Sequence, residues 1–131
     1  AARTLDEAES LYFEKQYPKA KDLYTRALTE TDSRPLHAKS YFGLARIAAV
    51  NREFEMSEKL FQKTLELNPE SEIKAWAYIF LGRLAFAGGA AEEAAQHFKT
   101  ALGVDGAPTG AKTAAERGLA DATKNAAPQK K

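Results

Sequence analysis

Apolar and small residues recur with helical spacing on both sides of a glycine pair, Gly88-Gly89. Before the pair, one set follows the spacing i, i+3, i+4, i+7 and so shares one face of a helix: Tyr78, Leu81, Gly82 and Ala85. After the pair, a second set begins a new face: Ala94, Phe98, Ala101 and Leu102. Because two glycines supply the backbone freedom that a tight reversal needs, the pattern predicts two short helices packed back to back.

The same pattern occurs twice more, at intervals of 37 residues. One period earlier, the matching positions hold Tyr41, Leu44, Ala45, Ala48, Ser57, Phe61 and Leu65. Two periods earlier, the second helix recurs as Tyr17, Ala20, Tyr24, Ala27 and Leu28, and the first helix recurs more weakly as Ala8 and Leu11. A fixed period of this size is typical of stacked helical repeats.

These residues resemble the tetratricopeptide repeat family, whose hallmark is a fixed series of aromatic residues, Leu-Gly or Leu-Ala, Ala-Leu and a proline. The middle repeat fills those places with Tyr41, Leu44, Ala45, Phe54, Phe61, Leu65 and Pro69. The period is longer than the family's usual one of about 34 residues, and Ala91 stands where the other repeats carry an aromatic residue. The resemblance implies an all-α fold, a right-handed superhelix of three helix pairs at about residues 1–34, 38–71 and 75–108.

A seventh helix is predicted from Thr109 to Lys124 by a thin apolar face. That face consists of Ala114, Ala115, Leu119 and Ala122. The resemblance implies that this terminal helix covers the last repeat, whose apolar side would otherwise be open. We therefore expect one domain over residues 1–125, with a capping helix at 109–125 and a disordered tail at 126–131.

Composition narrows the class of protein but leaves its compartment unknown. The 131 residues suit one small domain, and 19 Lys and Arg against 18 Asp and Glu give no electrostatic drive toward nucleic acid or membrane. The chain has no cysteine, which excludes disulfide and thiolate chemistry. No apolar run reaches the ~18 residues that a membrane span needs. Because the chain starts at Ala1 instead of methionine, we expect it to be processed or to be a fragment of a longer protein.

Three patterns that could carry chemistry do not complete a site. Residues 106–113 resemble a phosphate-binding loop, but they lack the adjacent glycine and lysine that the motif requires. His37 and His97 are one and a half repeats apart and have no carboxylates at ligand spacing. Glu92 and Glu93 fall at a helix start, where the helix dipole favours negative charge. We therefore predict no enzyme, no metal site and no cofactor.

The resemblance implies that the first helix of each pair lines a concave groove. The residues expected there are Leu5, Glu9, Tyr12, Lys39, Phe42, Arg46, Trp76, Ile79, Arg83 and Phe86. Since burying an unpaired arginine is costly, Arg46 and Arg83 are both expected to reach solvent. The alternative for any single apolar residue of this set is a buried position in the core. Exposed aromatic residues clustered with arginine are typical of binding hot spots.

The predicted function is a non-catalytic module that binds a protein or peptide segment, of acidic and hydrophobic character, in this groove. The carboxylate clamp known in the family is rejected, because its lysine, asparagine and arginine places hold Leu5, Glu9, Gly43, Trp76 and Phe80. The alternative is a structural or self-association domain, or a scaffolding fragment of a longer protein. Under that alternative, a second copy of the chain can be the partner, in a homo-oligomer.

Overall fold

The structure is a computed structural model that describes residues 1–126. Within those residues it contains seven α-helices and no strand. The helices are α1 (Ala2–Phe13), α2 (Tyr17–Glu30), α3 (Arg34–Val50), α4 (Phe54–Glu66), α5 (Ser71–Ala87), α6 (Ala91–Leu102) and α7 (Thr109–Ala126). Consecutive helices pack as pairs, which confirms the predicted all-α helical-repeat fold. Ala126 ends α7 instead of opening a tail, and the predicted disorder at residues 127–131 lies outside the described residues.

The chain divides into two compact units, which are described separately below. Unit 1 is Ala1–Pro69 and holds α1 to α4, the first two helix pairs. Unit 2 begins at Glu70 and holds the third pair, α5 and α6, together with α7. The expectation of a single domain over residues 1–125 stays a prediction.

Each helix pair turns through the same backbone motif. The second residue after the first helix takes a left-handed conformation, with φ of 63° at Lys15, 63° at Arg52 and 85° at Gly89. The next N–H donates to a carbonyl one turn back: Gln16 to Leu11 (2.8 Å), Glu53 to Ala48 (2.9 Å) and Ala90 to Ala85 (2.9 Å). This Schellman arrangement satisfies carbonyls that a helix end leaves unpaired. Gly89 has no Cβ to clash in that conformation, so the backbone cost is lowest in the third turn.

Unit 1 is held together by small residues that let large ones fit between its helices. Tyr24 and Phe61 have no exposed surface and are its largest fully buried side chains. Gly43 approaches Tyr24 so closely that a Cβ would overlap the ring, so the contact between α2 and α3 requires glycine. Ser57, which replaces a small apolar residue of the repeat pattern, is buried and donates its hydroxyl to the Ala45 carbonyl at 2.8 Å. That hydrogen bond removes most of the cost of burying the hydroxyl.

Phe98 fills the centre of unit 2 and is only 2% exposed. Gly82 on α5 and Gly118 on α7 face its ring, and a Cβ on Gly82 would lie 2.7 Å from the ring atom Cε1. Helix α7 packs against α5 and α6. The predicted apolar face of α7 is buried at Ala115 and Ala122 and partly buried at Ala114 and Leu119. The terminal helix therefore covers the third helix pair, and the burial of Phe61 and Phe98 at matching positions supports the repeat assignment.

Candidate functional site

In unit 1, the predicted groove residues divide into buried and half-buried side chains. Glu9, Tyr12 and Lys39 are half-buried, whereas Leu5, Phe42 and Arg46 are buried. The groove exposure expected of Leu5 and Phe42 is wrong, because Leu5 belongs to the core of this unit and the Phe42 ring packs against Phe61. The prediction that Arg46 reaches solvent is wrong, since the residue is only 7% exposed. The reason is that the guanidinium has partners inside the unit, so burial does not leave its charge uncompensated.

Arg46 is held by one carboxylate, one phenol and three aromatic rings. Its Nη2 donates to Oε1 of Glu9, which lies one 37-residue period earlier, and to the Tyr24 hydroxyl at 3.0 Å. The Tyr24 hydroxyl donates to the same Glu9 oxygen. Burial, followed by that hydrogen bond, raises the pKa of Tyr24. The guanidinium carbon also lies 4.1 Å from the centre of the Tyr12 ring and 4.8 Å from that of Phe42. Arg46 is thus part of the framework of unit 1, and its charge is already neutralised.

In unit 2, the four predicted groove residues on α5 do not share one environment. Arg83 is exposed, and Trp76 and Phe86 are half-buried. Ile79 is completely buried, among the apolar residues that α6 and α7 contribute to the core. Its predicted exposure on a groove is therefore wrong, because α7 packs against α5 and covers that position.

Arg83 rests on two aromatic rings of its own helix. Its guanidinium carbon lies 5.8 Å from the centre of the Trp76 ring and 5.5 Å from that of Phe80. Trp76, Phe80 and Arg83 are spaced i, i+4, i+7, a pattern that could have identified Phe80 from the sequence. Partial burial lowers the pKa of Arg83, but the guanidinium stays charged near neutral pH. No carboxylate of the described residues forms an ion pair with it.

A cleft of about 340 Å³ opens beside Arg83, between α5 and α7. It is lined by Arg83, Phe86, Phe98, Gly110, Thr113, Ala114, Arg117, Gly118 and Asp121. The α7 members follow helical spacing and so form one stripe along that helix. Arg117 and Asp121 lie outside the apolar face that predicted α7, and no pattern in the sequence indicated that they line a cleft. A cationic rim over aromatic rings can hold a carboxylate beside an apolar group.

Other kinds of site find no support in the described part of the chain. No group of histidine, aspartate and glutamate residues there could hold a metal ion. Nε2 of His37 contacts the Thr31 carbonyl at 2.6 Å, and Nε2 of His97 lies 3.7 Å from a Glu93 carboxylate oxygen. None of the helices described is both long enough and apolar enough to cross a membrane.

The curated proteins contain no match to this chain. A protein-family model described as tetratricopeptide repeat matches residues 36–105, which is just over half of the 131 residues. Proteins of this family are generally non-catalytic modules that bind other proteins. The matched region covers the second and third helix pairs, where the repeat residues recur in phase. With the helix-pair fold and this match, the chain belongs to the tetratricopeptide repeat family.

Proposed function

We propose that the chain is an interaction module that binds an acidic, partly apolar protein segment on the exposed face of α5. The observation that carries the proposal is Arg83: it is exposed, stacked on two rings and unpaired among the described residues. Arg46 stands one period earlier but is neutralised by Glu9, so we assign it no contact with a partner. The charged anchor of the proposed site is therefore Arg83 alone on this helix.

Stacking prepares Arg83 for a carboxylate. A guanidinium that lies against aromatic faces keeps its N–H groups pointing outward, and two of them can meet both oxygens of a carboxylate. Holding the side chain in place before binding reduces the conformational entropy lost on association. Trp76 and Phe86 are half-buried next to it and offer apolar surface for the rest of the segment. Arginine and tryptophan are the residue types that dominate binding hot spots.

The half-buried residues of unit 1, Tyr12 and Lys39, stay predicted contacts of a partner. The buried Leu5 and Phe42 would have to be uncovered before they could touch one, so the proposal does not depend on them. Glu9 accepts hydrogen bonds from Arg46 and Tyr24 and is assigned to the framework of unit 1.

The test uses Trp76, the only tryptophan of the chain, as the reporter. A short, terminally blocked peptide with glutamate between leucine and phenylalanine is titrated into the wild type and into Arg83→Gln. Since a hydrogen bond to a charged group is worth about 1.5–3 kcal/mol, Kd should rise about tenfold or more in the variant. The matched control is Lys99→Gln, an exposed cation on α6 outside the cleft. Equal Kd values for Arg83→Gln and the control would refute the proposal.

Self-association is the second candidate, and one observation favours it. The large hydrophobic residues that are exposed in the described chain all belong to unit 1: Phe13, Val50, Phe54 and Met56. Phe13 is 71% exposed, beside the turn between α1 and α2. Apolar surface of this kind often marks a contact with another protein. Sedimentation of the wild type against Phe13→Ser with Met56→Ser tests it: a dimer that the double variant loses supports self-association, and a monomer in both rejects it.

A further inference from the structure

A second arginine lines the cleft between α5 and α7. Arg117 is exposed on α7, lines the same cleft as Arg83, and forms no ion pair among the described residues. Asp121, one turn further along α7, also lines the cleft, and it pairs with neither arginine. With two guanidinium groups and one carboxylate, the cleft keeps a net positive charge, which attracts an anion.

We propose that α7 is half of the binding site as well as a cap. In this site Arg83 from α5 and Arg117 from α7 together hold one internal glutamate or aspartate of a partner segment, and the apolar residue next to it lies against Phe86. The inference rests on the proposed function, since it names the chemistry that the Arg83 surface recognises.

The floor of the cleft depends on the glycine at position 118. Any Cβ there would overlap the edge of the Phe98 ring, so glycine is required for α7 to pack directly against that buried ring. Phe86 is half-buried at the same cleft. An apolar side chain entering beside the carboxylate would therefore meet the Phe86 ring, while its acidic neighbour meets the arginine rim.

The length of the stripe on α7 favours an internal acidic residue over a chain terminus. Thr113, Arg117 and Asp121 are spaced by one turn each, so they extend over about 12 Å of the helix. A segment that follows this stripe continues past the arginines and reaches Asp121, where a basic or amide side chain fits the carboxylate. A segment whose terminal carboxylate is bound at Arg117 would stop there and leave Asp121 without a contact.

The experiment titrates three peptides, and binding is followed by Trp76 fluorescence and by calorimetry. The first is the blocked glutamate peptide described above, the second replaces glutamate by glutamine, and the third is the glutamine peptide with a free terminal carboxylate. Each is added to the wild type, Arg83→Gln, Arg117→Gln and the control Lys112→Gln. Lys112 is an exposed cation of α7 that does not line the cleft.

We expect the glutamate peptide to lose about tenfold or more in affinity with Arg83→Gln and with Arg117→Gln, and to be unaffected by Lys112→Gln. The blocked glutamine peptide should bind weakly and should not distinguish the four proteins. Circular dichroism should show the same helix content in all four, because the substituted side chains are exposed.

The outcomes separate this inference from the proposed function. If Arg83→Gln weakens binding while Arg117→Gln behaves like Lys112→Gln, α7 is only a cap: the inference fails and the proposed function stands. If neither arginine matters, both fail. If the glutamine peptide with a free carboxylate binds as tightly as the glutamate peptide, the cleft receives a chain terminus and the internal acidic residue is refuted.

Discussion

Removing the guanidinium of Arg46 should destabilise the protein far more than removing that of Arg83. The two arginines lie 37 residues apart, at the same place in successive repeats, yet Arg46 is 7% exposed and paired while Arg83 is exposed and unpaired. Methionine is the matched replacement at both sites, because it keeps an unbranched apolar stem and deletes only the charged head.

The magnitude follows from what each head group contacts. Arg46→Met loses the charge-assisted hydrogen bond to Glu9, worth about 1.5–3 kcal/mol, and its stacking on Tyr12 and Phe42, worth about 0.5–2 kcal/mol. The Glu9 side chain is 45% exposed, so water can partly replace the lost donor. The lower half of the range for the charge-assisted hydrogen bond therefore applies. We expect a loss of about 3 kcal/mol, at the lower end of the ~3–5 kcal/mol of a fully buried broken pair. Arg83→Met loses ring stacking at an exposed site, about 1 kcal/mol or less.

Urea unfolding measures both variants, with far-UV circular dichroism following all helices and Trp76 fluorescence following unit 2. The single variant Glu9→Gln and the double variant Glu9→Gln with Arg46→Met complete a cycle, and its coupling energy should reach at least ~1 kcal/mol if the pair itself stabilises unit 1. Equal losses for Arg46→Met and Arg83→Met would refute the structural role of Arg46. A coupling energy of zero would leave packing of the stem as the cause of any loss.

Three further substitutions test the packing, the turns and the buried phenol. Gly118→Ala should lower the free energy of unfolding by about 1–2 kcal/mol, because the new methyl overlaps the ring of Phe98 and overpacking outweighs the gain in helix propensity. The control is Gly110→Ala, whose Cβ meets nothing within 4 Å and which should not destabilise the protein. Arg52→Gly should raise the free energy of unfolding by up to ~1 kcal/mol, since it relieves a left-handed φ of 63°, and a drop in the thermal midpoint would contradict this. Because the pKa of Tyr24 is raised, its hydroxyl stays protonated to higher pH in the folded state than in the unfolded state. The difference in free energy of unfolding between the wild type and Tyr24→Phe should therefore shrink above about pH 10, and a difference that does not change with pH would refute this prediction.

The fold was predictable because its signal is periodic. Aromatic and small residues recur every 37 positions, and each is apolar for the same reason, contact with the neighbouring helix. Phe61 and Phe98 were predicted as core from that phase alone, and both are buried. The glycine pair was predicted as a reversal, and Gly89 takes the left-handed conformation that ends the helix. Local spacing was sufficient here, because these contacts form between helices adjacent in sequence.

The candidate site was less predictable, because it depends on contacts between residues that are distant in the sequence. Nothing near Arg46 in the sequence indicates that Glu9 lies beside it, so an arginine without local partners was expected to reach solvent. Ile79 was misassigned for a related reason, since its burial depends on the packing of α7 against α5. Arg117 has no signature within its own helix, where it is one charge among several.

Position within the repeat and identity of the counter-charge together decide the role of a side chain in this protein. Glu9, Arg46 and Arg83 occupy one repeat position in turn, at intervals of 37 residues. Arg46 lies one period after Glu9, and the ion pair between them neutralises its charge inside unit 1. The residue one period before Arg83 is another arginine, whose positive charge cannot neutralise it. The residue one period after it, Ala120 on α7, carries no charge. The guanidinium of Arg83 is therefore left without a neutralising residue at its own repeat position, and a carboxylate from outside the chain can supply the missing charge.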